Sequence, residues 1–168
     1  MKKIIKNSTL IFLVLAALFV FVGCQNGVHE NNGLHFRLPG DMEEKSYEYA
    51  PIAYGKKGVN FMAHVYLKDI ILSELGFSSD ITAKEYSEEF IRLNGYTDYE
   101  YNYDEQTKIV TFSLVYEYDN EAIEDEFFFY YIVRTERALY IVIMDCKVSM
   151  MEEYKPIFEL WASDIWVE

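Results

Sequence analysis

EFFFYYIVRTERALYIVIMDC, residues Glu126–Cys146, is a run of aromatic and branched residues interrupted once, at Thr135–Arg137. Such residues suit a pleated, half-buried surface, and a polar break between two apolar runs marks a hairpin. A tight Glu136-Arg137 turn makes Val133 face Tyr140 and Tyr131 face Val142. Moving outward, a loop at Asp119–Glu126 makes Tyr118 face Phe127, Leu114 face Tyr131 and Phe112 face Val133. A four-residue turn at Asp104–Thr107 then pairs Tyr101 with Val110 and Tyr99 with Phe112. These registers gather Tyr99, Tyr101, Val110, Phe112, Leu114, Tyr116, Phe129, Tyr131, Val133, Tyr140, Val142, Met144 and Cys146 on one face. A slip of one residue would send every side chain to the wrong face, so the agreement supports this strand order. Val115, Phe128, Tyr130, Ile132, Ile141 and Ile143 remain for the other face, which therefore needs cover as well.

The cover comes from two segments of helical period. Thr82–Asn94 opens with Thr82 and Glu85 at capping-box spacing and ends before Gly95; Ala83, Tyr86, Phe90 and Leu93 make its apolar stripe. In Ser149–Ile165 the stripe is Tyr154, Ile157, Phe158, Trp161 and Ile165. Ser149 and Glu152 have capping-box spacing, and Pro156 suits a first helical turn. Upstream, Leu34–Leu38 alternates apolar and polar residues before a Pro39-Gly40-Asp41 turn. Tyr47–Tyr54 and Val59–Leu67 read as two further strands joined by Gly55–Gly58. Lys68–Phe77 reads equally as a loop or a helical turn. The fold class is α+β, a predominantly antiparallel sheet sandwiched by helices.

Ahead of this domain stands a segment of different character. Lys2, Lys3 and Lys6 precede an unbroken apolar run, Leu10–Val22, of 13 residues. That is shorter than the roughly 20 residues a membrane span needs, so the run reads as the core of a signal peptide. Phe21-Val22-Gly23-Cys24 places a small residue before a cysteine and resembles the lipobox of bacterial lipoproteins, with Phe21 in place of the usual Leu. The resemblance implies cleavage between Gly23 and Cys24 and lipidation of Cys24. It also implies residence on the extracytoplasmic side of a bacterial membrane, which becomes a partner through the lipid anchor. The expected organisation is a signal peptide over 1–23, a lipidated cysteine and flexible tether over 24–33, and one domain over 34–168. Gln25–Gly33 is polar and aperiodic, and His29 within it has no assigned role. With Cys24 lipidated, Cys146 has no disulfide partner.

The chain carries a net charge of −13, and the leader holds three of its lysines and no acid. Such a surface repels nucleic acid. The 15 Tyr and 12 Phe argue for a packed core rather than disorder.

Leu34–Asp41, the Tyr- and Phe-rich strands over Glu126–Met144, and Tyr154-x-x-Ile-Phe-x-x-Trp-x-x-x-Ile165 together resemble the PsbP-like domain. The resemblance implies an antiparallel sheet between helices. It also implies company that is diverse in role: an extrinsic photosystem subunit, a nuclear Ran-GTPase-binding protein and bacterial lipoproteins of unknown purpose. The family has no common catalytic set, so the resemblance carries over no functional residue and favours a binding module only by analogy.

The residues themselves offer little catalytic chemistry. His29, His35 and His64 have no metal-ligand spacing, and neither HExxH nor CxxC occurs. No phosphate loop or serine-nucleophile motif is present, and no cofactor is implied. Cys146 follows Asp145, whose charge opposes a thiolate, so it reads as a small buried hydrophobe. The one constellation is acidic: Asp98, Glu100, Asn102 and Asp104 line a strand face, with Glu121, Glu124, Asp125 and Glu126 in a later loop. Calcium needs about 6–8 converging oxygens, whereas alternate strand residues stand roughly 6.5 Å apart. A solvated outer face is the reading that spacing favours. Two functions follow as expectations. One is a lipid-anchored, non-enzymatic binding or accessory domain for an unidentified protein or small ligand. The other is a calcium-dependent solute binder or hydrolase using Asp98, Glu100 and Asp104.

Overall fold

Every ladder of the sheet is antiparallel, and the chain visits it in two passes. In the computed structural model, which describes residues 27–48, 50–67, 76–120 and 122–168, the first pass lays down β1 (Val28–Asn31), β2 (Leu34–Arg37), β3 (Glu43–Glu44), β4 (Ile52–Lys56) and β5 (Val59–Leu67). After helix α1 (Ala83–Asn94) come β6 (Tyr99–Tyr103), β7 (Val110–Tyr116), β8 (Glu126–Arg134) and β9 (Ala138–Lys147). A 3-10 turn (Val148–Met150), α2 (Met151–Ser163) and β10 (Trp166–Val167) follow. The large sheet has the order β3-β4-β5-β9-β8-β7-β6, and β1-β2-β10 form a small second sheet. The leader, with Gly23 and Cys24, lies outside the described residues, as do 68–75 and Glu121.

The expected α+β sandwich is present. α1 begins as its sequence indicates. The Thr82 hydroxyl accepts the Glu85 N–H while the Glu85 carboxylate accepts the Thr82 N–H, and Gly95 closes the helix at φ 69°. Its buried residues are Ala83, Tyr86, Ser87 and Ile91, and Leu93, expected in the stripe, is exposed. α2 departs from expectation at its start. The Ser149 N–H donates to Glu124 instead of opening a capping box, and Met150 occupies the cap position without a side-chain bond. Of the expected stripe, Phe158, Trp161 and Ile165 are buried and Tyr154 and Ile157 half-buried, and Ala162 is buried beside them.

Registers tell the rest. The β8–β9 ladder pairs Val133 with Tyr140 and Tyr131 with Val142, as expected. The β6–β7 ladder pairs Tyr101 with Phe112, two residues from the expected partner, because the turn runs on through Lys108 at φ 58°. An even shift keeps the faces. The β7–β8 ladder pairs Phe112 with Tyr130 instead of Val133, an odd shift of three that exchanges them. The cause lies in the connecting loop. Asp125 accepts the Tyr118 N–H at 3.0 Å and Glu126 accepts its hydroxyl at 2.8 Å, so the chain leaves the ladder at Tyr116. The single apolar face read from sequence is therefore two. Val110, Phe112 and Leu114 pack with Tyr130, Ile132 and Ile141 under α1. Phe129, Tyr131, Tyr140, Val142, Met144 and Cys146 pack with Phe158 and Trp161 of α2.

Two early elements also differ. Residues 28–31, expected within the tether, form β1, which pairs with β2 through an Asn32-Gly33 turn with both φ positive. The β4–β5 loop is Lys57-Gly58 alone, again with both φ positive, the geometry of a type I′ turn. The strand expected at Tyr47 starts only at Ile52, and Tyr47 makes an isolated bridge to Ala50.

Candidate functional site

α2 covers β8 and β9 but stops short of the β6 edge. On β8 and β9 the face beneath it is apolar, whereas on β7 and β6 the same face carries Thr111, Ser113, Asn102 and Glu100. Polar residues give a helix nothing to bury against, and the sheet is left open there. The result is a groove of about 590 Å³, within the usual range for ligand sites. Phe129 and Tyr131 contribute to its floor, Lys155, Glu159 and Ser163 form the helical wall, and Glu100 and Asn102 the opposite side. Lys155 Nζ reaches across to Glu100 Oε1 at 2.6 Å. With Glu100 largely exposed, this pair adds little stability, at most about 1 kcal/mol.

The groove offers hydrogen bonds rather than acid–base chemistry. Burial pushes the Tyr131 phenol up to about 12, so it stays protonated. Asp104 lines the groove, but its carboxylate accepts the N–H groups of Gln106 at 2.8 Å and Thr107 at 3.3 Å. These bonds hold its carboxyl below the usual range and make it a turn-forming group. Of the three acidic candidates, Glu100 and Asp104 reach the groove, and exposed Asp98 does not line it. In the later acidic loop Glu124 takes Lys147 and the Ser149 N–H, Asp125 takes the Tyr118 N–H and Glu126 its hydroxyl. These carboxylates hold the loop together. Among the described residues, no three of His, Cys, Asp and Glu converge as a metal site.

The remaining residues singled out by sequence are scattered. His29 Nδ1 lies 2.9 Å from the Tyr54 hydroxyl, with its ring parallel to Phe36. His35 stacks on Trp166 at 5.1 Å. His64 is half-buried on β5, and burial pushes its imidazole down. Cys146 is 1% exposed, and burial pushes its thiol up to about 12. Asp145, on the opposite face, is the buried titratable group that sequence passed over. Asn60 donates to it at 2.7 Å, while its Oδ2 has no hydrogen-bond partner.

A central antiparallel sheet with, among the described residues, one helix on each face is an arrangement shared with solved structures. Cyanobacterial PsbP (CyanoP) from Synechocystis sp. PCC 6803 superposes with a TM-score of 0.55 at 13% identity, over 88% of this chain and 95% of that one. The fold is PsbP-like. The Ran-binding protein Mog1p of Saccharomyces cerevisiae shares it, with a TM-score of 0.52 at 10% identity over 86% of this chain and 96% of its own. No family model matches the sequence, and comparison with curated proteins finds no relative. Within this PsbP-like sheet the groove was detectable in principle. Thr111 and Ser113 alternate with apolar residues in β7, and Glu100 and Asn102 alternate with tyrosines in β6. Only the correct β7–β8 register places both polar rows on the α2 side.

Proposed function

We propose that the chain is a non-enzymatic, lipid-anchored binding or accessory domain on the extracytoplasmic side of a bacterial membrane, with the α2–β6/β7 groove as its binding site. The observation that carries the binding role is the polar stretch of an otherwise apolar sheet face, left open beside α2 and floored by aromatic rings. Mog1p, a Ran-binding protein of the same fold, supports it by analogy. The order of basic start, apolar core, Gly23 and Cys24 supports the anchor.

A photocrosslinking residue at Asn102, inside the groove, should trap a discrete adduct on whole cells. The same residue at Arg137, in the exposed β8–β9 turn, should not. Equal adducts from both positions, or none from Asn102, defeats the groove assignment. For the anchor, a labelled fatty acid should mark the wild type and leave Cys24→Ser unlabelled. Equal labelling of the two chains rules the anchor out.

A further inference from the structure

The α1 face holds a second cavity, of about 180 Å³, whose lining is almost wholly aromatic and branched aliphatic. The ladders build it in order. Ile141 and Ile143 of the central strand β9 form its floor, His64 and Tyr66 of β5 stand on one side, and Tyr130 of β8 stands on the other. Tyr86 and Phe90 of α1 complete the ring of walls. The His64 and Tyr66 rings lie 11° from parallel at 6.0 Å. Tyr86 and Phe90 are likewise near parallel, and Phe90 is tilted 53° from Tyr130 at 5.6 Å. Half-buried His64 and Tyr66 leave a mouth on the β5 side, whereas Tyr86 and Tyr130 are buried.

Among the described residues, no Lys, Arg, Asp or Glu lines this cavity. Burial holds the phenols of Tyr66, Tyr86 and Tyr130 protonated and the His64 imidazole uncharged, so nothing within it repels a cation. The rings carry negative quadrupoles that attract one. A compact, strongly hydrated ammonium would lose too much solvation on entering a pocket without carboxylates. An alkylated ammonium is bulky and weakly hydrated, presents methyl groups to rings and isoleucines, and suits a cavity of this size. The chain's net charge of −13 draws cations and repels anions at longer range. The geometry points to an aromatic cage formed by His64, Tyr66, Tyr86, Phe90 and Tyr130 that binds a quaternary or methylated ammonium group. This site lies across the sheet from the groove and is independent of the function proposed for it.

The test compares choline with its neutral carbon isostere, 3,3-dimethylbutan-1-ol, on the full-length chain. Choline should bind saturably, at least about tenfold more tightly than the isostere, since a desolvated cation–ring contact is worth that order. Its methyl protons should give intermolecular NOEs to the ring protons of Tyr86 and Tyr130. Tyr86→Leu should weaken choline binding by about tenfold, Tyr86→Phe by no more than about threefold, and Glu100→Gln in the groove not at all. Equal affinity for the isostere reduces the cage to a generic apolar pocket and overturns the inference. So does an absence of saturation, or NOEs from other rings only. Should Tyr86→Leu fail to fold, the NOEs on the wild-type chain decide alone.

Discussion

Asp145 is the most exposed to test of the individual residues, because its cost depends on pH. It is 4% exposed, and burial pushes its carboxyl up to about 6, against the lowering pull of Asn60 and with the Glu126 charge adding. The folded value stands above the value of about 4 for a free aspartate. The folded state therefore holds this proton more tightly. That advantage is complete in acid and is lost as pH rises through about 6. Asp145→Asn keeps the shape and the acceptor for Asn60. It should be roughly 1–3 kcal/mol more stable than wild type at about pH 7.5 and no more stable near pH 4, as read by urea unfolding. A destabilised variant at the higher pH would show that the charge has a compensating partner. Its neighbour Cys146 points the other way, under α2. With Cys24→Ser as background, it should react slowly with a water-soluble thiol reagent until the chain unfolds, and Cys146→Ser should cost about 1–3 kcal/mol. The burial of Cys146 was legible from the alternation of β9 alone. Asp145 was not, because its partner Asn60 comes from β5, far away in sequence.

At the scale of elements, what local chemistry specifies was readable and what long contacts specify was not. α1 carries its own start and stop in Thr82, Glu85 and Gly95. Thr82→Ala should cost about 1 kcal/mol, seen as an earlier midpoint at unchanged slope. The β8–β9 hairpin is set by a two-residue turn and came out in register. The β7–β8 loop is set by side chains, Asp125 and Glu126 fastening Tyr118, and turn-forming residues between Asp119 and Glu126 give no hint of that. The slip of three followed, and with it the loss of the groove. The Lys57-Gly58 turn invites a gain instead. Lys57 sits at φ 45°, where a lysine is strained and an asparagine is at ease, so Lys57→Asn should stabilise by about 0.5–1 kcal/mol. No gain in midpoint would mean that the turn relaxes in solution.

For the molecule as a whole, charge is the property that spreads beyond any contact. A net charge of −13 over the chain is self-repelling. Monovalent salt should raise the thermal midpoint by screening. Calcium and magnesium at matched ionic strength should do so equally, because the acidic residues of β6 stand in a row. A rise with calcium well beyond that with magnesium would reveal a specific site and restore the solute-binder reading. The two-sided burial of the sheet was legible from the apolar content of both strand faces. Which strands shared which face was not, since that depended on one loop.

The small sheet has a consequence for the order in which the chain folds. β10 pairs Trp166 with His35 and Val167 with Leu34, and the Glu168 N–H donates to the Gly33 carbonyl at 3.0 Å. These contacts join segments from far-separated parts of the chain, so their loop-closure entropy is the largest in the domain unless the big sheet forms first and brings them together. The clasp therefore closes late on the folding route, with little of it formed in the transition state. Substitutions at Trp166 should accelerate unfolding while leaving the refolding rate nearly unchanged. Amide exchange at His35, whose backbone faces β10 while Leu34 and Phe36 face β1, should report the clasp opening before the seven-stranded sheet yields.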